Sequence, residues 1–307
     1  MSIAARVVPA FTLKQLAYLV AAVEVGTITG AATRLNVSSS ALSDAITELE
    51  SAIQEQLCIR RRAHGLTLTP SGERIVAHAR RVLAEADELT RAVGGTDTLS
   101  GPIVIGCYPT LAPIVLPRLL REFGAQHPQV DLTIREATQD QLAEDIAAGR
   151  VDVAFVYDML VPAETERVQL AAFPAHVVLA ADHALADRDT VRLTDLVDDD
   201  LILLDAPPSS EHTLSVFDAQ GLTPRVRHRT SSYEVVRTLV ARGLGYGILV
   251  SRVTNPRSYE GLPLVVKPID PPVAPVAIDM IWAPNRPVPA RTRALIGFAR
   301  GLDWGAA

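Results

Sequence analysis

The chain has 307 residues, 48% hydrophobic and 21% charged, with a formal net charge of −6 and two cysteines. At roughly 100–200 residues per domain this predicts two or three domains with sizeable cores. The composition excludes a disordered chain, a collagen and a disulfide scaffold, and the acidic balance argues against a protein that coats nucleic acid along its length, but not against a small DNA-reading surface. Two cysteines point to a reducing compartment. The longest uncharged stretch, 98–117, is broken by Gly101, Gly106 and four prolines, and the N-terminus has no secretory pattern. The expected location is cytoplasmic, with no membrane segment.

Residues 1–95 carry ten Lys+Arg against nine Asp+Glu, and residues 96–307 nineteen against twenty-six. The change coincides with Gly94-Gly95 and Ser100-Gly101-Pro102, so a boundary is expected near residue 95. Leu16, Leu19, Val20 and Val23 recur at helical spacing over 13–25, and Gly26 stops that helix. Thr27 caps a short second helix, 28–35, and Asn36-Val37 makes a turn. Ser38 caps a third helix to about 54, with Leu42, Ala45, Ile46, Leu49 and Ile53 in one stripe. Its other face begins with Ser39, Ser40, Ser43, Asp44 and Thr47. Two short helices around a tight turn fit a helix-turn-helix. Its second helix would meet base edges and phosphates in the major groove, which makes Ser38, Ser39, Ser40, Ser43, Asp44 and Thr47 candidate DNA contacts. Asp44 either accepts from a cytosine amino group or faces away.

Alternation over 58–69 with Gly65 predicts a two-stranded wing, whose Arg60, Arg61 and Arg62 are placed for phosphate. Thr69 and Pro70 open a helix running to about 93. Its Ile75, Ala79, Val82, Ala86, Leu89 and Val93 step by 4, 3, 4, 3, 4, a coiled-coil seam for pairing with a second chain, with a core helix as the alternative. The expected domains are 1–69, a linker helix 70–95, and 96–307.

The remainder alternates strand and helix. Strand 103–106, helix 111–126, strand 130–135, helix 139–148 and strand 151–156 read as a parallel βαβαβ unit. A second, similar unit is expected from strands at 176–180, 201–204, 225–229 and 245–250 and helices at 211–219 and 232–242. A strand at 277–282 and a helix at 290–302 close the chain. Two lobes with a cleft follow, the first 101–172 plus 272–307, the second 173–271.

Catalytic and metal motifs are absent from the sequence: no G-x-S-x-G, H-E-x-x-H, C-x-x-C or P-loop, and no His at ligand spacing with another His or Cys. Gly243-Leu-Gly245-Tyr-Gly247 follows a helix and opens a strand, unlike a dinucleotide fingerprint. Asp198-Asp199-Asp200 reads as a solvated loop. No enzyme, metal or cofactor is expected. A disulfide between Cys58 and Cys107 is disfavoured by the intervening domain boundary.

Phe11-Thr-Leu-Lys-Gln-Leu-Ala-Tyr-Leu-Val, then Gly26-Thr-Ile-Thr-Gly-Ala-Ala-Thr-Arg-Leu-Asn-Val-Ser, Ser40-Ala-Leu-Ser-Asp-Ala-Ile, Leu66-Thr-Leu-Thr-Pro-Ser-Gly-Glu and Gly101-Pro-Ile-Val-Ile-Gly resemble LysR-type transcriptional regulators over almost the whole chain. The resemblance implies an N-terminal all-α winged helix-turn-helix plus linker helix, and a C-terminal α/β two-lobed effector domain of periplasmic-binding-protein type. It also implies a dimer through the linker, a homotetramer, double-stranded promoter DNA as partner, and possible contact with RNA polymerase. The family's base-reading positions fall on Ser39, Ser40, Ser43 and Asp44. Many members carry Gln-Pro at the first two and Arg at the last, so this chain lacks a bidentate reader and a positive charge, and leans more on its arginine run and on DNA shape. The usual aromatic or leucine before the wing is Cys58. Pro-Pro-Ser at 207–209 and Arg-Thr-Ser-Ser-Tyr-Glu at 229–234 are similar to one subgroup of the family.

A small-molecule effector, a small carboxylate or polar organic molecule, is expected between the lobes. Cys107, Tyr108 and Thr110 would form one wall, where a helix start offers free N–H groups. Ser209, Ser210, Ser231, Ser232 and Tyr246 would form the other. A solute-binding protein or an enzyme on the same two-lobed scaffold is the alternative.

Overall fold

The structure, a computed structural model, describes residues 9–61, 65–93, 99–250, 255–284 and 287–304, and of residues 60, 61, 87, 88 and 90–93 the backbone alone. Two compact units are present, the first of residues 1–98 with 144–150, the second of 99–143 with 151–307.

In the first unit α1 (Leu13–Val25) opens with a reciprocal cap. The Gln15 amide donates to Thr12 Oγ1 at 3.2 Å, and the Thr12 amide donates to Gln15 Oε1 at 2.8 Å. Gly26, at φ +77°, ends the helix where a side chain would be strained. α2 (Ile28–Arg34) turns 115° from α1 and is capped by Thr27 Oγ1, which accepts from the Gly30 amide at 3.1 Å. α3 (Ser39–Ile53) is capped by Ser38 Oγ, which accepts from the Ala41 amide at 3.1 Å. Leu42, Ile46 and Leu49 are fully buried against the core that Leu16, Leu19 and Ala22 share, each worth about 1.5–3 kcal/mol of burial. β1 (Cys58–Arg61) and β2 (Gly65–Leu68) form an antiparallel wing. Glu50 Oε1 accepts from the Leu57 and Cys58 amides at 2.8 and 2.9 Å, tying α3 to the wing.

α4 (Pro70–Val93) begins under Thr69, whose Oγ1 accepts from the Gly72 amide at 3.0 Å and donates to the Gln56 carbonyl at 2.7 Å. The expected pairing seam divides along this helix. Ala79 is buried within its own chain, and Ile75 packs on the same core. Val82 and Leu89 are 44% and 69% exposed, Ala86 is half-buried, and the Val93 side chain lies outside the described residues. The first turns therefore serve the protomer's own core, and only the later positions remain open to a partner. No single described helix is long and apolar enough to cross a membrane.

The second unit runs β3 (Gly101–Cys107), α5 (Ala112–Arg118), a π-helical turn (Leu119–Phe123), α6 (Gly124–Gln126), β4 (Val130–Glu136), α7 (Gln139–Ala147), β5 (Val153–Tyr157) and β6 (Glu166–Phe173). It continues with β7 (His176–Ala180), β8 (Asp200–Leu204), α8 (Ser209–Asp218), β9 (Arg225–Thr230), α9 (Tyr233–Ala241), β10 (Gly247–Leu249) and β11 (Leu264–Pro268), then β12 (Val276–Trp282) and α10 (Ala290–Gly301). The first lobe's sheet has the order β4-β3-β5-β12-β6. β3 is parallel to β4 and β5, as the βαβαβ pattern requires, while β12 is antiparallel to β5 and β6.

The second lobe departs from the expected parallel repeat. β8 is parallel to β9 and bridges in parallel to Tyr246 just before β10, while β7 lies antiparallel between β10 and β11. The chain leaves β7 through β8, α8, β9 and α9 before it returns as β10 and then β11, and it enters both beside β7 in the opposite direction. The helix expected over 111–126 runs without interruption from Ala112 to Gln126, and after Pro117, which has no N–H for the ladder, one turn widens to a π-turn. Strands β6 and β11 were not expected. The core of the second lobe gathers Phe217, Tyr246 and Ile248 with Leu201 and Leu203.

Candidate functional site

Two places gather the candidate residues, one in each unit. In the first, Ser39, Ser40, Asp44 and Thr47 are exposed and Ser43 is half-buried. Positions 40, 43, 44 and 47 share one helix face, opposite buried Leu42, Ile46 and Leu49. The Ser38 hydroxyl is engaged as the cap, 3.2 Å from Ser40 Oγ. The Thr47 hydroxyl donates to the Ser43 carbonyl at 3.0 Å and keeps lone pairs for accepting. The amides of Ser39 and Ser40 open the helix, where no earlier helical carbonyl can take them. Arg60 and Arg61 contribute backbone to β1; their side chains and the whole of Arg62 lie outside the described residues.

In the second unit a cavity lies between the lobes. Thr110 and Tyr157 line it from the first lobe, and Ser209, Thr213 and Tyr233 from the second, with Leu204 and the run Ile248, Leu249 and Val250 as an apolar wall. Five hydroxyl-bearing side chains line a small space that, among the described residues, no Lys or Arg lines. Its volume is about 10 Å³, room for one water at most. Thr110 Oγ1 lies 3.0 Å from the Tyr157 hydroxyl. Tyr108 bridges the lobes: its hydroxyl donates to the Ala206 carbonyl at 3.0 Å and lies 3.4 Å from Ser209 Oγ. Its ring meets Tyr157 edge-on, centroids 5.6 Å apart. Burial pushes the phenols of Tyr108 and Tyr233 up, opposed at Tyr233 by the Arg237 guanidinium.

Of the expected cavity residues, Thr110 and Ser209 line it and Tyr108 reaches it through Ser209. The others do not. Cys107 is fully buried, its thiol pushed far up by burial and bonded to the Tyr108 carbonyl at 3.6 Å. Ser210 is buried and donates to Glu211 at 3.0 Å. Ser231 is exposed, and Ser232 caps α9. Tyr246 belongs to the second lobe's core, its hydroxyl without a partner among the described residues.

At the start of α5 the Thr110 amide alone has no acceptor among the described residues. The Leu111 and Ala112 amides both donate to the Tyr108 carbonyl, at 2.9 and 3.2 Å, and Pro113 has no amide hydrogen. α8 begins differently: the Ser209 amide donates to the Ala206 carbonyl at 2.8 Å, and the Ser210 and Glu211 amides stand in its first turn with no acceptor among the described residues. Beside them His212 has a buried, unpartnered Nε2, and burial holds its imidazole below the usual range, opposed by Asp158 of the first lobe. Tyr157, Thr213, Tyr233 and His212 were missed. Tyr157 ends a strand, the usual side for ligands in α/β sheets, and that signal was available in the sequence.

Residues 13–73 match the family model of bacterial regulatory helix-turn-helix proteins of the lysR family, and residues 96–303 match the LysR substrate binding domain. The chain is 30% identical over 268 residues to the uncharacterized HTH-type transcriptional regulator YvbU of Bacillus subtilis, covering 85% of this chain and 89% of that one. The C-terminal domain of a probable LysR family regulator from Rhodococcus sp. RHA1 is 42% identical with a TM-score of 0.64, covering 66% of this chain and 99% of that one. A full-length OxyR variant from Pseudomonas aeruginosa is 25% identical with a TM-score of 0.77, covering 96% and 99%. A helix-turn-helix with its wing, a long following helix and a two-lobed α/β unit thus agree in order and extent with the matched models, and the chain belongs to the LysR family of transcriptional regulators, which join a DNA-binding unit to an effector-binding domain.

Proposed function

We propose that the chain binds promoter DNA through the exposed face of α3 and the wing, and that a small effector between the lobes modulates this. The observation that carries the reading is the polar face of Ser39, Ser40, Ser43, Asp44 and Thr47, standing opposite the buried stripe of a short, capped helix. Its opening amides suit phosphate, and its hydroxyls suit base edges. The arginines at 60–62 supply phosphate contacts. Residues 1–69 form the DNA-binding domain, 70–95 the pairing helix through Val82, Ala86 and Leu89, and 96–307 the effector domain. The assembly is a cytoplasmic homotetramer of two dimers in contact with RNA polymerase. Among the described residues no nucleophile–base pair lines the cavity, which favours a binding site over a catalytic one.

The effector is a small polar molecule, and a carboxylate suits the open amides of Ser210 and Glu211 with the hydroxyls of Thr110 and Ser209. At about 10 Å³ the cavity is closed to it, so binding selects a state with the lobes apart. The test is a fluorescence-anisotropy titration of the full chain against the DNA upstream of its own gene and a scrambled duplex, at two salt concentrations. Tighter binding to the upstream DNA supports the reading, and the same assay then screens small carboxylates. Equal, salt-sensitive binding to both duplexes refutes sequence readout by α3.

A further inference from the structure

The first lobe carries a second place for a ligand, away from the interlobe cavity. β6 is the outer strand of its sheet, and α10 packs against it. An open groove of about 680 Å³ is lined by residues of both, together with Trp282 at the end of β12 and Val288 of the segment before α10. That volume lies within the roughly 300–1,000 Å³ of small-molecule sites. Arg293, Ile296 and Arg300 line it from α10, at i, i+3 and i+7 and so on one helix face. Val168 and the Trp282 indole add apolar surface, and Arg167 adds a third guanidinium.

The charge is one-sided. Among the described residues no carboxylate lines the groove, although residues 96–307 carry nineteen Lys+Arg against twenty-six Asp+Glu. Arg167 is drawn to Asp279 at 3.5 Å, and Arg293 donates to the Val288 carbonyl at 3.1 Å. Arg300 has no ion pair or hydrogen bond among the described residues. Arg300 in the last turn of α10 is placed well for the helix dipole, so its charge there has a structural account. Arg293 stands near the N-terminal end, where the dipole disfavours a cation and the first turn holds no acidic residue, and its bond to the Val288 carbonyl leaves its charge without an ion pair among the described residues. Guanidinium groups that flank an indole and aliphatic side chains match a ligand with an anionic head and a flat apolar body.

We propose that this groove binds an aryl carboxylate, with Arg293 and Arg300 holding the carboxylate and Trp282, Val288 and Ile296 holding the ring. It is a second ligand site, independent of the interlobe cavity. The experiment titrates 2-naphthoate, with 2-naphthamide as its neutral counterpart, into the full-length protein by isothermal calorimetry. The expected result is saturable binding of the anion, about tenfold or more weaker both for the amide and for the Arg293→Gln/Arg300→Gln variant. Thr110→Val/Ser209→Ala binds the anion as the parent does. Of the two tryptophans, labelled as 5-fluorotryptophan, the Trp282 fluorine resonance moves with the anion and the buried Trp304 resonance does not. Absence of saturable binding, equal binding by the arginine variant, or loss of binding in the Thr110/Ser209 variant instead would each overturn the proposal.

Discussion

Replacing Tyr108 with phenylalanine removes one oxygen from the seam between the lobes and nothing else. The ring is 1% exposed and packs edge-on against Tyr157, contacts that phenylalanine keeps. Lost are the 3.0 Å bond to the Ala206 carbonyl and the weaker 3.4 Å approach to Ser209. A neutral hydrogen bond contributes about 0.5–1.5 kcal/mol net, and a buried carbonyl left unpaired costs about 1–3 kcal/mol. The carbonyl regains water once the lobes part, so the penalty falls on the closed state. A loss of about 1–2 kcal/mol lowers the closed-to-open ratio roughly 5–30-fold. Cys58 and Cys107 are both buried, so dyes on Gln126→Cys and Asp189→Cys, one exposed position per lobe, label selectively and report lobe separation by energy transfer. Tyr108→Phe is expected to shift the distribution toward separation, with Ser209→Ala moving it less. A distribution that Tyr108→Phe leaves unchanged refutes the phenol as the closing contact.

Four further outcomes are expected. A Cβ on Gly72 would overlap the Leu57 carbonyl, so Gly72→Ala lowers the first unit's stability by about 1–3 kcal/mol in thermal melts. Asp44→Arg adds a cation to the exposed face of α3 and steepens the log–log salt dependence of DNA binding by about 0.9; an unchanged slope puts that face off the phosphates. Leu89→Lys, at a side chain 69% exposed in the single chain, weakens dimerisation by about 1.5–3 kcal/mol in sedimentation equilibrium. His212 titrates below its ordinary 6.5, first because of burial, so the folded state favours the neutral ring. That contribution is complete above 6.5 and is lost as pH falls below it. Chemical denaturation should show stability falling more steeply below that pH for the parent than for His212→Gln.

The helical unit was legible because local signals agreed. Thr27, Ser38 and Thr69 cap the helices they were expected to cap, and Gly26 ends α1. The Thr12–Gln15 capping box was equally visible and went unread. The apolar content of 111–126 carried the helix there, and Pro117 marks where its next turn widens to a π-turn. β6 was not read as a strand although Arg167, Val168, Gln169 and Leu170 alternate, because the alternation is short and its flanks, Glu166 and Ala171-Ala172, do not continue it. At the cavity, Thr110 and Ser209 could be found because they stand beside a strand end and a helix start. Tyr157 and Tyr233 come together only through the closure of two lobes, which no local spacing encodes. Cys107, adjacent in sequence, belongs to the strand and is buried there, while Tyr108 is the next residue and reaches across.

The same hydroxyl that closes the cavity has a consequence for affinity. An effector that needs the lobes apart binds with an apparent affinity reduced by the fraction of molecules that are open. If the Tyr108 bond holds most molecules closed, removing it raises that fraction and tightens effector binding by up to about the same 5–30-fold factor. A direct hydrogen bond from the phenol to the effector makes the opposite forecast, because Tyr108→Phe would then lose a contact and weaken binding. Thr110→Val discriminates further: its hydroxyl faces Tyr157 within the first lobe at 3.0 Å, so it leaves lobe separation unchanged while removing a polar partner for the ligand. Calorimetry of the three proteins against a carboxylate that shifts DNA binding therefore separates a closing role from a binding role. Tighter binding in Tyr108→Phe with weaker binding in Thr110→Val supports the closing role. Weaker binding in both assigns Tyr108 to the ligand instead.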